Sequence, residues 1–400
     1  MSLSTDALRV LVAPDKFKGS LSAAQVAAAL GAGLACRPHV VWRALPLADG
    51  GDGSVAAAAS AGFTSIPAAV AGPIGEPTTT HLAFDGTTAV VEVATTCGLQ
   101  MLPPGGLAPL ASTSAGFGEA MRAALGLRPN RLVLALGGSA TTDGGAGLLS
   151  ALGAVFLDRL GRPFVPSGGT LRDISRIDLG GLASLEGIEV VAANDVENPL
   201  LGPCGAAPVY GPQKGATSDD VAALDAGLAH LVQRLDDAGL PASSCAGTPG
   251  AGSAGGLGFA ALLLGARMVS GADFFLDLFG FDTAAAEADL VITGEGKLDE
   301  QTLSGKLPLA VARRVGKAPV VAVVGHNALG RDALPEHGIE RIWALSDLSE
   351  RDTSRDSELS AALLEQLGQE IGLAGLASSG RVVGGSFSAA LESLDAASHT

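Results

Sequence analysis

A glycine-rich segment of the chain has the residue types that bind anions. It runs from Gly137 to Gly147 and reads Gly-Gly-Ser-Ala-Thr-Thr-Asp-Gly-Gly-Ala-Gly. The apolar run 132–136 before it predicts a buried strand, and 148–152 after it predicts a helix. A strand, a glycine-rich turn and a helix start place backbone N–H groups and a positive dipole end in one concavity, which suits phosphate or carboxylate. A tight turn that binds no ligand is the alternative.

Within this segment the backbone and hydroxyl groups are candidates for binding phosphate. Glycine allows positive φ and a close approach of the ligand to the backbone. Asp143 places a carboxylate where an anion alone would be repelled, so it predicts a bridging Mg²⁺ or a proton acceptor. The candidate phosphate-binding residues are Gly137, Gly138, Ser139, Thr141, Thr142, Gly144 and Gly145.

Two loops near the start of the chain carry further polar side chains at predicted strand ends. The capping box Ser22-Ala-Ala-Gln25 and apolar residues at positions 26, 30 and 34 predict a helix that begins after residue 22. Lys18 and Ser20 precede this helix, at the strand edge where open α/β sheets bind ligands. Asp49 and Asp52 stand three residues apart among glycines. They fit Mg²⁺ ligands or hydrogen-bond acceptors for a hydroxylated substrate, and the alternative is a helix N-cap with a turn aspartate.

Two later loops add a candidate base, carboxylates and cations. Asp195 follows a predicted strand and is a candidate general base. Lys214 stands in Gly-Pro-Gln-Lys-Gly. Glu295 and Asp299 are candidate metal ligands, and Lys306 is a candidate substrate-binding cation.

The lysines are few and are concentrated in these loops. Only six of the 25 basic residues are lysines, and the rest are arginines. Five of the six lie in loops with Gly, Ser or Asp, whereas Lys317 looks like an ordinary surface residue. A compact ammonium suits contact with a transferred phosphoryl group, so the distribution favours phosphate chemistry; chance is the alternative.

Composition excludes several classes of protein. The formal net charge of −16 argues against nucleic acid or an anionic membrane as a partner. The four cysteines are scattered and form no C-x-x-C, which predicts a reducing, cytoplasmic location without structural zinc. No apolar run is long enough to span a bilayer. A homodimer is a candidate assembly.

The order of predicted elements indicates an α/β fold with an inserted domain. A βαβα pattern opens the chain, and regular βα alternation resumes at about residue 289. Short strands at 64–96 predict an antiparallel meander, and 255–268 predicts a buried helix. We therefore expect a Rossmann-like parallel-sheet domain formed from 1–65 and 288–400. A mixed α/β domain, 66–287, is inserted into it.

Seven motifs in order resemble the bacterial glycerate kinase family that includes the hydroxypyruvate- and glucarate-pathway enzymes, and they cover nearly the whole chain. The resemblance implies ATP-dependent phosphorylation of D-glycerate, usually to 2-phosphoglycerate. The motifs are APDKFKGSLSA, LADGGDG, GGSATTDGGAG, NDVENPL, YGPQKGA, PGAGSAGGLG and TGEGKLDEQTLSGK.

Chemistry then assigns roles within that activity. ATP phosphates would lie on the 137–147 loop, with Mg²⁺ held by nearby carboxylates. Lys18 and Lys214 would neutralise transferring oxygens or the glycerate carboxylate, and Asp195 would accept the hydroxyl proton. A kinase of another small hydroxy acid and a non-catalytic sensor of a sugar acid or nucleotide are the alternatives.

Overall fold

The computed structural model describes residues 7–303, 306–329 and 335–378 of the chain. Its strands are β1 Leu8–Pro14, β2 Val40–Ala44, β3 Thr64–Ala71, β4 Pro77–Phe84, β5 Thr88–Glu92, β6 Arg131–Ala135, β7 Val155–Leu157, β8 Pro163–Phe164, β9 Arg176–Asp178, β10 Glu189–Ala193, β11 Arg267–Val269, β12 Leu290–Leu298, β13 Val320–Asn327 and β14 Arg341–Ala344. Its α-helices are α1 Ala23–Ala35, α2 Ser54–Ser60, α3 Ala115–Gly126, α4 Ala146–Ala151, α5 Ala206–Tyr210, α6 Ser218–Asp237, α7 Ala242–Ala246, α8 Leu257–Leu263, α9 Gly271–Leu278, α10 Phe281–Ala286, α11 Glu300–Leu303, α12 Leu307–Arg314 and α13 Ser357–Ser378.

The chain divides into two compact units. The first combines 1–49 with 272–400, and the second is 50–271. The first boundary lies before α2 and the second at the start of α9, whereas the sequence placed them at 65/66 and 287/288. The first boundary moves for a packing reason, because α2 contacts β3, β4 and β5 of the second unit.

The first unit is built on a five-stranded parallel sheet in the order β2-β1-β12-β13-β14. In chain order these are strands 2-1-3-4-5, an arrangement of doubly wound sheets. The order reverses between β1 and β12, so the sheet has its switch point there. Open sheets of this kind bind ligands at the switch point, outside the carboxyl ends of the strands.

Helices α1 and α13 pack closely against each other and share a hydrophobic core with this sheet. The capping box at the start of α1 joins Ser22 and Gln25, as the sequence predicts. Leu30 and Leu34, on the predicted apolar face of the helix, are fully buried. A Cβ at Gly33 would lie 1.9 Å from the carbonyl oxygen of Glu365, so glycine is required for the helices to approach this closely.

The second unit contains a six-stranded mixed sheet in the order β11-β10-β6-β5-β4-β3. The pairs β3–β4 and β4–β5 are antiparallel, which is the predicted meander, and the other pairs are parallel. A small three-stranded sheet, β8-β7-β9, belongs to the same unit. Together the units confirm the predicted class, an α/β fold with a parallel sheet from both chain ends and an inserted mixed domain.

One predicted element is wrong. The apolar run 255–268 was expected to be one helix, but α8 ends after Leu263, and Gly265 has a φ of +82°. The residues beyond it form β11, the edge strand beside β10. Across the ranges that the structure describes, no helix combines the length and apolarity needed to cross a membrane.

Candidate active site

Three carboxylates of the first unit belong to segments at the carboxyl edge of its sheet, around the switch point. Asp15 directly follows β1, Asp49 follows β2, and Glu295 lies in the last part of β12. The backbone N–H of Asp15 donates to the carbonyl of Gly294 at 2.8 Å, which fixes Asp15 beside the strand that carries Glu295. Parallel pairing of β1 with β12 and β2 therefore brings together residues that are up to 280 positions apart.

These carboxylates share an unfavourable electrostatic environment. Burial raises the pKa of Asp15 to about 7, and repulsion from Asp49 and Glu295 adds to the rise while Lys16 opposes it. Burial likewise raises the pKa of Glu295 to about 7, with repulsion from Asp49 and Asp299 and opposition from Thr302 and Lys306. Two coupled acids that titrate near neutral pH can accept a proton or hold a cation, and such groups cluster at functional sites.

Local contacts orient the Glu295 side chain. The hydroxyl of Thr302 in α11 donates to its Oε1 at 2.6 Å. Thr293 lies two residues earlier on the same face of β12, and its buried hydroxyl has no hydrogen-bond partner. Asp299 is paired with Lys297 at 3.4 Å. The Ser304 and Gly305 part of this motif lies outside the described residues.

Asp15 was not singled out from the sequence, although it stands in the APDKFKGSLSA motif. Lys18 and Ser20 were preferred because they precede a capped helix. The structure places Lys18 and Ser20 in the lining of a cavity of about 410 Å³ in the first unit. The signal that could have found Asp15 is its position as the first ionisable residue after a buried strand.

In the second unit, most of the glycine-rich segment is enclosed by protein. Gly138 is exposed and Gly137 half-buried, but residues 139–145 are buried. A Cβ at Gly144 would lie 2.6 Å from Leu231, and one at Gly145 would lie 2.3 Å from the Cβ of Ala260. These two glycines are thus explained by tight packing against helices α6 and α8, without a phosphate.

Asp143 is a buried structural acceptor in this loop. Its Oδ2 accepts hydrogen bonds from the backbone N–H and hydroxyl of Ser114, both at 2.7 Å, and from Gly147 N–H at 3.2 Å. Its Oδ1 accepts from Gly145 N–H at 3.0 Å. With its oxygens occupied and no surface exposed, Asp143 does not fit the predicted role of metal ligand.

Lys214 is also held inside the second unit. Its Nζ donates to Ser139 Oγ at 2.9 Å and to the carbonyl of Thr141 at 2.6 Å. Burial lowers its pKa to about 8, against the attraction of Cys97 and Asp143. The hydroxyls of Thr141 and Thr142, in the loop that Lys214 contacts, are buried without hydrogen-bond partners. Lys214 therefore fixes the shape of the loop, a role that spacing alone could not distinguish from ligand binding.

The remaining predicted residues of the second unit lie near its surface. Asp195 is exposed, and its Oδ1 accepts a hydrogen bond from Gly271 N–H at 2.8 Å, at the start of α9. Asp52 is half-buried and is not the N-cap of α2, which is Gly53. Glu92 supplies the acceptors instead, since it binds the N–H groups of Gly53 and Val55 at 3.1 and 3.0 Å.

Within the described ranges, no three His, Cys, Asp or Glu side chains converge closely enough to hold a metal ion by themselves. The three predicted metal ligands are divided between the two units. Asp143 lies in the second unit, while Glu295 and Asp299 lie in the first. Of the predicted carboxylates, Asp49 and Glu295 are coupled with Asp15, which becomes the principal candidate in the first unit.

The fold and these motifs define an α/β protein with ligand-binding chemistry at the carboxyl edge of a parallel sheet. The family model for the glycerate kinase family matches residues 10–374. The chain belongs to the glycerate kinase family.

Curated relatives and a solved structure agree with this membership. The chain is 41% identical to the glycerate kinase of Bacillus subtilis strain 168 over 346 residues, covering 84% of this chain and 90% of that protein. It is 37% identical to the glycerate 2-kinase of Escherichia coli K12 over 347 residues, with coverage of 84% and 90%. The crystal structure of a "putative glycerate kinase 2" from Salmonella typhimurium LT2 matches with a TM-score of 0.75 and 34% identity, over 92% of this chain and 97% of that one.

Proposed function

We propose that this protein is a glycerate kinase that transfers the γ-phosphoryl group of ATP to the 2-hydroxyl of D-glycerate. Family membership and the names of the relatives support the activity, and "glycerate 2-kinase" supports 2-phosphoglycerate as the product. The structural observation that carries the proposal is the coupled carboxylate group Asp15, Asp49 and Glu295 at the switch point of the first sheet. A hydroxyl group needs a proton acceptor there before it can attack phosphorus.

In this scheme Asp15 accepts the proton. The 2-oxygen of glycerate forms a bond to the γ-phosphorus, the bond from that phosphorus to the β–γ bridging oxygen breaks, and ADP leaves with the electron pair. The hydroxyl proton passes to the Asp15 carboxylate. A base with a pKa near the working pH combines the correct ionisation state with a strong enough pull on the proton, and Asp15 meets that condition at about 7.

The first unit also suits Mg²⁺. Kinase sites hold this ion by one or two carboxylates together with substrate phosphates, so a closed cage of protein ligands is not needed. Burial is the main cause of the raised pKa of Glu295, and repulsion from Asp49 adds to it, so a bound cation would relieve both. These two side chains would hold the ion, which when bound supplies neutralisation of the phosphate charge. Lys306, whose charge acts on Glu295, would face the glycerate carboxylate.

The second unit contributes a rigid loop whose accessible part is Gly137 and Gly138. The prediction that the other five residues of this loop bind phosphate is therefore not retained in the proposal. The cytoplasmic location and the homodimer stay predictions.

The proposal is tested by a coupled assay of ADP release with ATP, Mg²⁺ and D-glycerate. We expect turnover that EDTA abolishes and that added Mg²⁺ restores. A panel of other small hydroxy acids separates the alternatives. Faster turnover with another acid would favour the related kinase, and binding without any ADP release would favour the sensor.

A further inference from the structure

The cavity of the first unit is larger than a three-carbon acid such as glycerate requires. Its volume is about 410 Å³, within the range of roughly 300–1,000 Å³ that is usual for small-molecule sites. Gly296 and Gly325, near the carboxyl ends of β12 and β13, form part of its lining. Lys18 and Ser20 contribute from the β1–α1 connection, and the loop 349–354 completes it.

The cavity therefore adjoins the switch point. Its lining residues Phe17 and Gly296 stand two and one positions after Asp15 and Glu295 in the chain. The backbone there is tightly packed, because a Cβ at Gly296 would lie 2.9 Å from the backbone nitrogen of Lys18. The cavity is thus lined by the segments that directly follow Asp15 and Glu295, two of the carboxylates that the proposed function uses.

Positive and negative side chains occupy different parts of the cavity lining. Lys18 is exposed and, in the described part of the chain, forms no ion pair, whereas Arg351 is paired with Asp356 at 2.6 Å. Glu350 and Asp352 bring negative charge to the loop on the cavity wall. At the start of α1 the capping box already occupies the N–H groups of Ser22 and Gln25, and Lys18 is the lining cation that we assign to an anion.

We infer that this cavity, and not the 137–147 loop, binds the nucleotide, with the phosphates of ATP at Lys18 and the ribose at the 349–354 loop. The inference rests on the proposed function, because it places the phosphoryl donor for that reaction. A polyphosphate chain requires a cation, and carboxylates such as Glu350 and Asp352 are suitable acceptors for ribose hydroxyls. A nucleotide also matches the volume better than a three-carbon acid does.

Two variants test this assignment by calorimetric titration with ADP and Mg²⁺, without glycerate. Ser346 is an exposed lining residue whose Oγ lies 3.3 Å from His326 Nδ1, so Ser346→Trp fills the cavity without disturbing the core. We expect Ser346→Trp to abolish measurable ADP binding and Lys18→Gln to weaken it at least tenfold. Melting temperatures should match the wild type.

Matched controls are available at exposed positions outside the cavity. Ser60→Trp at the end of α2 and Lys317→Gln should bind ADP like the wild type. Wild-type affinity in both cavity variants would overturn the inference. Unchanged ADP binding with a raised KM for D-glycerate would also overturn it, since the cavity would then be the acid site.

ADP binding and ADP release, measured on the same protein samples, distinguish failure of this inference from failure of the proposed function. A wild type that binds ADP in a Ser346-dependent way but releases no ADP from ATP with D-glycerate would refute the proposed function alone. Normal turnover by the wild type and by Ser346→Trp would refute the cavity assignment alone.

Discussion

Replacing Asp15 by Asn should make the protein more stable and nearly inactive. The asparagine keeps the shape of the side chain, and its oxygen can still accept the backbone N–H of Lys16, which lies 2.7 Å from Asp15 Oδ1. The variant removes a mostly buried negative charge that Asp49 and Glu295 repel. Because the substitution removes an unfavourable charge and the proposed base together, activity and stability should change in opposite directions.

The expected gain in stability follows from the pKa of Asp15. Folding moves it from 3.8 to about 7, and each unit corresponds to about 1.4 kcal/mol. Between these two values the folded state keeps a proton that the unfolded chain has released, so rising pH destabilises the wild type. We expect Asp15→Asn to raise the free energy of unfolding by about 1–4 kcal/mol at pH 8 and to change it little at pH 4. Urea denaturation at both pH values measures this.

The loss of activity has its own pH signature. With the proton acceptor gone, kcat should fall by about 10²–10⁴-fold. In the wild type, kcat/KM should rise as pH increases through about 7, because Asp15 must be ionised to act as a base. The variant should lack this rise. A variant that is less stable than the wild type at pH 8, or whose kcat stays within a few-fold of it, would refute the assignment.

Activity and stability measurements on three further variants distinguish carboxylates and cations with structural roles from those with catalytic roles. Asp195→Asn should leave kcat within a few-fold of the wild type in the ADP-release assay, because the amide oxygen can still accept from Gly271 N–H; a hundredfold loss would restore Asp195 as the base. Asp143→Ala leaves buried donors unpaired, so urea denaturation should show a loss of at least about 3 kcal/mol, and unchanged stability would contradict its structural role. Lys18→Arg should lower kcat/KM at least about tenfold while the exposed control Lys317→Arg is neutral, and equal activities would mean that the lysine distribution carries no functional information.

Much of the fold was predictable because local patterns and tertiary packing agree. The apolar face of α1 and its capping box predicted a helix that the structure confirms, and short strands separated by turn signals predicted the meander. The prediction of one helix over 255–268 was wrong because hydrophobicity alone does not distinguish a buried helix from an edge strand. Gly265, which ends that helix with positive φ, was the signal to use.

The candidate site was harder to predict than the fold because burial decides which polar residues can bind ligand. The motifs indicated which loops to consider, but from spacing alone Asp143 and Lys214 look the same as accessible residues. Both are buried and hydrogen-bonded inside the second unit. Conversely, the coupling of Asp15 with Glu295 depends on pairing of β1 with β12, which no local pattern reveals.

The most direct test of the central claim is phosphorus NMR of the reaction of the wild-type protein with ATP, Mg²⁺ and D-glycerate. The account predicts one new phosphoester signal, that of 2-phosphoglycerate, growing in step with ADP. A 3-phosphoglycerate signal would contradict the assignment of the 2-hydroxyl as the acceptor. ATP that remains intact, or that yields only inorganic phosphate, would contradict the claim that this protein is a glycerate kinase.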